Sequence, residues 1–381
     1  MREAVIVSPV RTAVGKRNGA LSGIHSVDLG ATVLRELQRR TAIDPSLIDD
    51  VIWGCVSQVA EQSSNIARTT VLAAGWPETV PGTTVDRQCG SSQQALHFAA
   101  AGVVAGHYEI AVAGGVESMS RVPMGSPALG ADPLGPSYIA RYGEGIPSQG
   151  FGAEQIARDH GFTRRDLDEF AAGSHARAAA ATNDGRFVDQ VVAVELADGT
   201  SWSADQGVRP DSTVETLSVL RPAFGEEGLL HAGNSSQISD GAAAMLVTTL
   251  ERARELGLEA IARVHTAVVV GGDPQIMLMA PIPATRLAIE RSGLPLQAIG
   301  AFEVNEAFAS VPLAWLRAFP VDPERLNPNG GAIALGHPLG ASGARLTTTL
   351  LNHMQAKGVE YGLQTMCEGG GLANATIFQL L

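Results

Sequence analysis

The chain has 381 residues and a formal net charge of −12 at pH 7. This length exceeds one ordinary core and predicts two or three domains. The negative charge argues against nucleic acid or an anionic membrane as the main partner, although a local basic patch could still bind an anionic cofactor.

The sequence shows neither a secretory leader nor an apolar run long enough to span a bilayer. Its cysteines are Cys55, Cys89 and Cys367. Because they are few and odd in number, no disulfide framework is expected, and neither they nor the nine histidines have the spacing of a metal site. We therefore expect a soluble, cytoplasmic protein in a reducing compartment, with no bound metal and no membrane or nucleic-acid partner.

Strand-like and helical segments alternate over the first part of the chain. Strands are predicted at residues 4–10, 50–56, 82–85 and 109–113, and helices at residues 27–40, 65–74 and 91–104. Such alternation is typical of a largely parallel sheet with helices on both faces.

The pattern changes near residue 120. Residues 122–149 are rich in Pro and Gly and show little periodicity. Residues 152–181 are predicted to be helical, with Thr163 and Asp166 forming a capping box. Regular alternation resumes only after this region, so we interpret residues 118–231 as an insertion in the first domain, placed where it could cover a ligand.

Later in the chain the first pattern returns. The predicted elements are a strand at 260–270, a helix at 283–292, a strand at 301–304, a helix at 344–356 and a strand at 363–366. Both halves thus run strand, helix, strand into a reactive loop, helix, strand and a Gly-rich end. A duplicated fold with an internal pseudo-twofold axis explains this order. Ligands are then expected between the halves, near the carboxyl ends of strands.

Cys89 lies where the strand at 82–85 passes into the helix at 91–104. Unpaired N–H groups and the positive end of the helix dipole favour a thiolate there, and the thiolate is the nucleophile. Gly90 leaves the sulfur room to meet a substrate. A buried, inert cysteine is the alternative for this residue, and it is the expectation for Cys55, which lies in a strand-like run.

A Gly-rich segment at residues 330–343 carries one histidine, His337, followed by Pro338. Glycines allow positive φ angles and the close approach of a ligand. A histidine held there can take a proton from a thiol or donate a hydrogen bond to a developing oxyanion. A phosphate-binding loop with an incidental histidine is the alternative, but the segment lacks the Gly-Lys-Ser/Thr ending.

Two further segments place polar groups at strand ends. Cys367 precedes three glycines whose exposed N–H groups suit an oxyanion site, although a core cysteine before a tight turn also fits that segment taken alone. Asn305 and Glu306 follow the strand at 301–304, where the amide could hold a water and the carboxylate could orient an imidazole. A helix-capping asparagine is the alternative there.

Taken together, these motifs resemble those of the thiolase superfamily, from Ser8 to the C-terminus. The matching segments are Gln88-Cys89-Gly90-Ser91, Gly114-Gly115-Val116-Glu117-Ser118-Met119-Ser120, Leu220-Arg221-Pro222-Ala223-Phe224, Ala232-Gly233-Asn234-Ser235-Ser236, Asp240-Gly241-Ala242-Ala243-Ala244, Asn305-Glu306-Ala307-Phe308-Ala309, Gly336-His337-Pro338 and Cys367-Glu368-Gly369-Gly370-Gly371. The resemblance implies an α/β thiolase fold with a duplicated five-layer αβαβα core. Residues 1–117 with 232–258 would form the N-terminal half and residues 259–381 the C-terminal half. Residues 118–231 would form an inserted loop domain that binds CoA and the acyl group and carries oligomer contacts.

The resemblance also implies roles for individual residues. Cys89 is then the acyl-accepting nucleophile, and His337 activates it. Cys367 moves the proton at the substrate α-carbon or on the leaving thiol. Asn305 positions a water that completes one oxyanion hole with His337, and the N–H groups of Cys89 and Gly369 form a second.

Binding of CoA is implied in the same way. Arg209 and Ser236 match family positions that contact CoA, and Ala307 and Phe308 match positions near its pantetheine arm. CoA is accordingly expected as a co-substrate, with no permanently bound cofactor. The family also implies a homodimer, or a homotetramer built as a dimer of dimers.

The sequence departs from the family pattern at Ser92 and Gln237, where many members have Gly, and at Gln149, where short-chain members have Met in the acyl pocket. Gln149, the loop at 16–19 and the pair Gln93-Gln94 look most like actinobacterial thiolases that degrade steroid side chains or rings. We therefore expect cleavage of a 3-oxoacyl-CoA with CoA, giving acetyl-CoA or propionyl-CoA and a shortened acyl-CoA. A bulky or steroid-derived acyl group is favoured.

Three other functions are compatible with part of the pattern. A biosynthetic thiolase would form acetoacetyl-CoA with the same residues. A ketosynthase-like condensing enzyme is disfavoured, because such enzymes pair their cysteine with two His, or with His and Asn, and lack the Cys-x-Gly-Gly-Gly end. A non-catalytic acyl-CoA-binding subunit is disfavoured because such proteins usually lose the nucleophile or the Gly-His-Pro motif.

Overall fold

The computed structural model describes residues 2–143 and 148–381; residues 144–147, part of the predicted insertion, lie outside the described residues. The strands are β1 (Ala4–Thr12), β2 (Gly15–Lys16), β3 (Asp50–Gly54), β4 (Gly82–Val85), β5 (Ile110–Ser118), β6 (Val191–Val192), β7 (Val194–Glu195), β8 (Ser201–Trp202), β9 (Ser239–Thr249), β10 (Ala260–Gly271), β11 (Ile299–Val304), β12 (Tyr361–Glu368) and β13 (Leu372–Leu380). The helices are α1 (Ser26–Thr41), α2 (Ile66–Ala73), α3 (Ser91–Ala105), α4 (Gly135–Tyr142), α5 (Gln149–Asp159), α6 (Arg164–Asn183), α7 (Val214–Ser218), α8 (Leu250–Glu255), α9 (Pro281–Ser292), α10 (Ser310–Ala318), α11 (Ala332–Leu335) and α12 (Leu339–Lys357). Among the described residues, no helix has both the length and the hydrophobicity needed to cross a membrane.

In the described part of the chain, eleven strands form one mixed sheet, whose main path runs β4-β3-β5-β9-β1 and continues β10-β13-β12-β11. The ladders β3–β4, β3–β5 and β11–β12 are parallel. β9 and β13 pair antiparallel with both of their neighbours. The prediction of a largely parallel sheet is therefore wrong. The prediction missed the antiparallel direction of β9 and β13, because neither strand follows a crossover helix. β13 returns from β12 through the glycine turn at 369–371, and β9 follows the insertion.

The two halves repeat one strand order. The N-terminal half contains β3-β5-β9-β1 and the C-terminal half contains β11-β12-β13-β10, with the same sequence of parallel and antiparallel ladders. In the N-terminal half, β4 pairs with the outer edge of β3. At the corresponding edge of β11 in the C-terminal half, Phe302 forms a single parallel bridge with Leu326. β1 and β10 pair across the centre, with Val5 opposite Arg263. The predicted duplication is confirmed.

Three apolar clusters separate the layers of the core. One joins α1 and α2 to the N-terminal half, and another joins α9 and α10 to the C-terminal half. The middle cluster surrounds α3 and α12 and includes Met245 of β9 and Phe378 of β13. α12 is buried on every face from Leu339 to Leu351, as expected of a helix between two sheets. The predicted five-layer arrangement is confirmed.

The helical part of the insertion follows its local signals. Thr163 and Asp166 form the predicted capping box, in which the Thr163 Oγ1 accepts from the Asp166 N–H at 3.2 Å. The segment predicted as one helical stretch at 152–181 is divided into α5 and α6. Gly161, with a φ of +62°, ends the first helix in a left-handed conformation that favours glycine.

The helix after the Gly-rich segment is longer than predicted. It was expected at 344–356, whereas α12 begins at Leu339, directly after Pro338. Pro338 occupies the N-cap position with a φ of −68°, which suits proline at a helix start. As a result, His337 stands two residues before α12, just as Cys89 stands two residues before α3.

A buried ion pair ties the insertion to the first strand. Arg11 on β1 donates to both carboxylate oxygens of Asp205 at 2.8 and 2.9 Å, and to the Gln190 Oε1 at 2.9 Å. Asp205 also accepts from the Val14 N–H at 2.8 Å. The side chains of Arg11 and Asp205 are only 1% and 4% exposed, so each charge depends on the other for its compensation.

We expect Asp205→Ala to lower the free energy of unfolding by about 3–5 kcal/mol, because it leaves the Arg11 charge buried without its partner. Chemical denaturation followed by circular dichroism measures the change. Glu169→Ala is the control, since Glu169 pairs with Arg165 at the surface and its loss should cost less than about 1 kcal/mol. Equal losses in the two variants would contradict a structural role for the Arg11–Asp205 pair.

Candidate active site

Cys89 lies in the turn between β4 and α3 and is 4% exposed. Burial, and secondarily a negative charge on Glu368 wherever that group is ionised, raises the pKa of its thiol to about 12, whereas the backbone N–H groups of Cys89 and Gly369 act to lower that pKa. The prediction of a thiolate at rest is therefore wrong. A helix dipole contributes about 1 kcal/mol, less than one pKa unit, whereas the loss of water around a buried thiol outweighs it.

Cys367 lies near the end of β12 and is 1% exposed. Burial first, then a negative charge on Cys89, and then Glu368 raise the pKa of the Cys367 thiol well above its usual range. The contribution of Cys89 means that the two sulfur atoms, which come from opposite ends of the chain, are close in space. The turn after Cys367 also supplies the Gly369 N–H that reaches the Cys89 sulfur.

His337 is held by hydrogen bonds on its backbone and on its ring. Its N–H donates to the Ser239 Oγ at 3.0 Å, and its Nδ1 lies 2.6 Å from the Ser342 Oγ. The Ser342 hydroxyl donates to the Pro338 carbonyl at 2.8 Å, so it accepts from the imidazole. The proton of the neutral ring is therefore on Nδ1, and Nε2 carries the lone pair, towards which the Asn305 Nδ2 donates at 3.4 Å.

The charge state of His337 follows from its surroundings. Burial, and then the positive charge of Arg345, lowers the pKa of His337 to about 3. At neutral pH the imidazole is therefore neutral and can accept a proton at Nε2. The resting site holds a neutral thiol and a neutral imidazole, not an ion pair.

Asn305 stands beside the imidazole at the end of β11. Its Nδ2 lies 3.4 Å from the His337 Nε2, and its N–H donates to the Thr365 carbonyl at 3.1 Å, two residues before Cys367. Its Oδ1 is buried and has no hydrogen-bond partner among the described residues. Asn305 thus links His337 to the strand of Cys367 and presents a free acceptor beside both.

Glu306 does not orient the imidazole, so that expectation is wrong. Its carboxylate accepts from the Ser174 Oγ at 2.6 Å, the Asn327 Nδ2 at 2.9 Å and the Ile333 N–H at 3.2 Å. These contacts face away from His337 and brace the start of the Gly-rich segment against α6. A side chain at Gly331 would collide with the Glu306 carboxyl, 2.2 Å from its Cδ, which explains the glycine there.

The two central helices bring Cys89 and His337 together. A Cβ on Gly343 of α12 would lie 2.3 Å from the backbone nitrogen of Gln93 on α3, so the helices are in backbone contact. The Ala344 N–H also donates to the Ser92 Oγ at 2.9 Å. Cys89 packs in one small apolar cluster with Leu339 of α12 and Met366 of β12. The helix beginnings that carry the cysteine and the histidine therefore meet at one place.

Among the residues expected at CoA, Ser236, Ala307 and Phe308 lie together, and Ala307 and Phe308 share an apolar cluster with Cys367. The backbone N–H of Ser236 donates to the Ala307 carbonyl at 2.9 Å. Phe308 packs edge-on against Phe224, with ring centroids 5.7 Å apart, and shares an apolar cluster with Cys367. Arg209 is exposed, and its N–H donates to the His175 Nδ1 at 3.1 Å. The insertion and the C-terminal half thus form one wall leading to Cys367.

Gln149, at the start of α5, faces the same turn. A Cβ on Gly369 would lie 3.4 Å from the Gln149 Nε2 and 3.1 Å from the Gln88 Oε1. Two amide side chains therefore flank the glycine whose N–H reaches the Cys89 sulfur. Gln88 has a φ of +49°, an uncommon conformation for a residue with a side chain, immediately before the cysteine.

Sequence reasoning missed several residues that build the site. The Glu117 carboxylate accepts from the Val56, Ser57 and Gly340 N–H groups at 2.9, 3.0 and 2.9 Å, and from the Gln62 Nε2 at 2.8 Å. It thereby holds the first turn of α12. The sequence did offer a signal for this role. A glutamate that continues an apolar strand is expected to be buried, and a buried carboxyl group needs several hydrogen-bond donors.

The departures at Ser92 and Gln237 also have structural roles. Ser92 connects α3 to α12, as described above. The Gln237 Nε2 donates to the Gly207 and Ile333 carbonyls at 2.9 and 2.7 Å, so it joins the loop before Arg209 to the segment before His337. Neither role has a sequence signal, because each depends on a partner far along the chain. Within the described ranges, no group of His, Cys, Asp and Glu could hold a metal ion.

Nearly the whole chain is similar to known proteins of one family. A family model of the thiolase N-terminal domain matches residues 4–251, and one of the thiolase C-terminal domain matches residues 258–380. The steroid 3-ketoacyl-CoA thiolase FadA6 of Mycobacterium tuberculosis is 48% identical over 389 residues, covering 100% of this chain and 95% of that protein. The 3-ketoacyl-CoA thiolase FadA of Escherichia coli K12 is 46% identical over 390 residues, covering 100% of both. The crystal structure of the Bacillus anthracis acetyl-CoA acetyltransferase is 36% identical with a TM-score of 0.92, covering 100% of this chain and 99% of that one.

The raised pKa of Cys89 predicts its reactivity. In the folded protein we expect the rate of Cys89 alkylation by iodoacetamide to rise about tenfold per pH unit between about pH 6 and pH 8, since the thiolate fraction does so below a pKa of about 12. Peptide mass spectrometry measures the rate. Cys55, which is fully buried and whose pKa burial raises still further, serves as the internal control and should stay unlabelled. A rate that levels off within this range would indicate a thiolate at rest.

Proposed function

Because the chain belongs to the thiolase family, we propose that it is a degradative thiolase that works by ping-pong acyl transfer through Cys89. The protein is an acyltransferase, and its curated relatives are named 3-ketoacyl-CoA thiolases, which supports the degradative direction. In this proposal, CoA cleaves a 3-oxoacyl-CoA to acetyl-CoA, or propionyl-CoA from a 2-methyl substrate, and a shortened acyl-CoA.

The observation that carries the proposal is the packing of Cys89 between the start of α12, just after His337, and Met366, just before Cys367, with the backbone N–H groups of Cys89 and Gly369 acting to lower the pKa of the thiol. When the Cys89 sulfur attacks the 3-oxo carbon of the substrate, the oxygen on that carbon becomes an oxyanion. The N–H groups of Cys89 and Gly369 can stabilise this oxyanion. The thiol proton passes to Nε2 of His337, which is unprotonated at rest. Charge thus appears only when the substrate is present to be attacked.

Cleavage then breaks the bond between the α-carbon and the 3-oxo carbon. The acyl group remains on Cys89, and acetyl-CoA departs as an enolate. Nε2 of His337, now protonated, and a water on the Oδ1 of Asn305 stabilise the enolate oxygen. Cys367 donates a proton to the α-carbon, which completes acetyl-CoA.

The second half-reaction releases the shortened acyl group. A CoA thiol enters and loses its proton to Cys367, which had given one up. The CoA sulfur attacks the acyl carbon on Cys89, and the same two N–H groups stabilise the oxyanion. Cys89 leaves and recovers its proton from His337. Separate cysteines for the covalent and the proton-transfer roles let each have its own pKa.

The CoA assignment concerns the wall formed by the insertion. In the proposal Arg209 and Ser236 contact CoA, and Ala307 and Phe308 line the passage of its pantetheine arm. The shared apolar cluster of Phe308 and Cys367 supports this direction of approach. CoA enters and leaves as a co-substrate, so no permanently bound cofactor is required.

We assign the domains as residues 1–117 with 232–258, the insertion 118–231, and residues 259–381. The repeated strand order supports the two halves. We also propose a cytoplasmic homodimer or homotetramer. β4 lies at the end of the strand order and pairs only with β3 in the described chain, so its other edge is available to a second copy.

The acyl group is proposed to be bulky or steroid-derived. The 48% identity with a steroid 3-ketoacyl-CoA thiolase supports this choice. Gln149 supports it through its place beside Gly369, where its amide changes the polarity of the acyl side. Glutamine and methionine have similar volumes, so the exchange alters polarity more than space.

A biosynthetic thiolase that forms acetoacetyl-CoA is the second candidate. The fold similarity to an acetyl-CoA acetyltransferase, with a TM-score of 0.92, favours it. Both candidates need the same residues, so only the substrate series separates them. A thiolysis assay with acetoacetyl-CoA, a long-chain 3-oxoacyl-CoA and a polycyclic 3-oxoacyl-CoA makes that comparison.

We expect Cys89→Ala to reduce thiolysis by about 10³-fold or more, because the covalent acyl carrier is lost. CoA binding, measured by isothermal titration calorimetry, should change by less than about threefold. Cys55→Ala is the matched control, since Cys55 lies in the core and should retain activity. Substantial thiolysis by the Cys89 variant would exclude it as the nucleophile.

We further expect Gln149→Met to lower the ratio of kcat/KM for the polycyclic substrate to that for acetoacetyl-CoA by about tenfold. Gln155→Met, on an exposed part of the same helix, should leave the ratio unchanged. The assay compares both substrates in wild type and in the two variants. A constant ratio in Gln149→Met would show that this position does not select the acyl group.

A further inference from the structure

One buried carboxyl group lies behind the two cysteines without an assigned role. Glu368 follows Cys367 in the chain, and its Oε1 lies 1.8 Å from the point that a Cβ on Gly90 would occupy. Gly90 follows Cys89, so the carboxyl group is wedged between the two cysteine segments. The side chain is 0% exposed, and neither oxygen reaches hydrogen-bonding geometry with a donor in the described residues.

Glu117 shows what a buried carboxylate normally requires in this protein. It is also 0% exposed, but it accepts four hydrogen bonds, three of them from backbone N–H groups. Burial raises the pKa of Glu117 as well, but each of those bonds acts to lower it. Glu368 lacks such bonds: the Asn374 N–H acts on it, but neither of its oxygens has a hydrogen-bond partner among the described residues. An ionised Glu368 would be an uncompensated charge in the interior.

The neighbour of Glu368 on β13 points to the missing partner. The Oδ1 of Asn374 lies 3.0 Å from the same point beside Gly90 and is also buried without a partner. The orientation of this amide is set by its nitrogen, which donates to the Gln94 Oε1 at 3.2 Å and the His97 Nδ1 at 3.1 Å. Two unpartnered acceptors therefore lie beside the same point, and a proton on the carboxyl group, shared between them, would satisfy both.

We propose that Glu368 is a neutral carboxylic acid at physiological pH, that it donates its proton to the Oδ1 of Asn374, and that it positions the Cys89 segment without opposing the charge of the reaction. The second part rests on the proposed role of Cys89 as the nucleophile. As an anion, Glu368 would oppose the Cys89 thiolate, the enolate and both oxyanions. As a neutral acid it fills the space against Gly90 and adds no negative charge to the site.

The groups around the carboxyl are consistent with this state. Asp86 and Arg87 face it from the turn before α3, with opposite charges, and the Cys89 and Cys367 thiols are neutral. His97 on α3, behind Asn374, is neutral because burial lowers its pKa to about 3. Burial raises the pKa of Glu368 well above its usual range, against the weaker influence of Arg87 and of the Asn374 N–H.

Infrared difference spectroscopy tests the protonation directly. Wild type minus Glu368→Gln should show a protonated-carboxyl C=O band that shifts in D2O. The difference spectrum is needed because burial raises the pKa of Glu303 to about 8, so that Glu303 also carries a proton at neutral pH. Glu169→Gln, at an exposed glutamate, is the control and should lose no such band. Absence of the band in the Glu368 difference spectrum overturns the proposal.

Alkylation of Cys89 gives a second readout that needs no thiolase activity. At pH 7 the rate in Glu368→Gln should lie within about twofold of wild type, because one neutral group replaces another. Above the pH at which the infrared band disappears, the wild-type rate should rise less steeply than the rate of Glu368→Gln. An acceleration of about tenfold or more at pH 7 would mean that a negative charge had been removed and would overturn the proposal. These outcomes do not depend on Cys89→Ala thiolysis, so failure here is distinguishable from failure of the proposed function.

Discussion

The close contact between α3 and α12 is the constraint on which the rest of the structure depends. A Cβ on Gly343 of α12 would lie 2.3 Å from the Gln93 nitrogen of α3, so the glycine is what lets the two backbones touch there. Each helix also has its reactive residue just before its first turn, Cys89 for α3 and His337 for α12. Packing the helices between two sheets therefore brings the thiol and the imidazole together from distant parts of the chain. Bulk anywhere along this contact would separate them.

That contact also removes water from the site, and the loss of water sets every charge state in it. Burial raises the pKa of Cys89 to about 12 and lowers that of His337 to about 3, so both are neutral at rest. Backbone N–H groups that donate to a buried carboxyl group favour its charged form, as they do at Glu117. The same principle, applied to the unpartnered Glu368, gives a protonated acid. A site that is neutral until substrate arrives keeps its donors and acceptors free for the charges of the reaction.

Sequence differences that change the choice of acyl group are then expected away from the contact between α3 and α12. The insertion meets the site through Gln149 and the wall around Phe308, and it is tied to the core by the buried Arg11–Asp205 pair. A firmly held insertion can change the polarity of the acyl side without disturbing the cysteine and the histidine. This separation explains how one arrangement of catalytic groups accommodates acyl groups of different size.

The sequence by itself determined what depends on neighbouring residues: the strand-to-helix turn at Cys89, the capping box at Thr163 and the repeated order of the two halves. It also brought out Cys89, His337, Cys367 and Asn305, because each stands in a short motif with its own chemistry. Only the tertiary structure decided the antiparallel returns of β9 and β13, the turning of Glu306 away from the imidazole, and the neutral state of Cys89. Those features depend on which strands and side chains the fold brings together, some of them more than a hundred positions apart in the chain, and on the exclusion of water, which the short motifs do not encode.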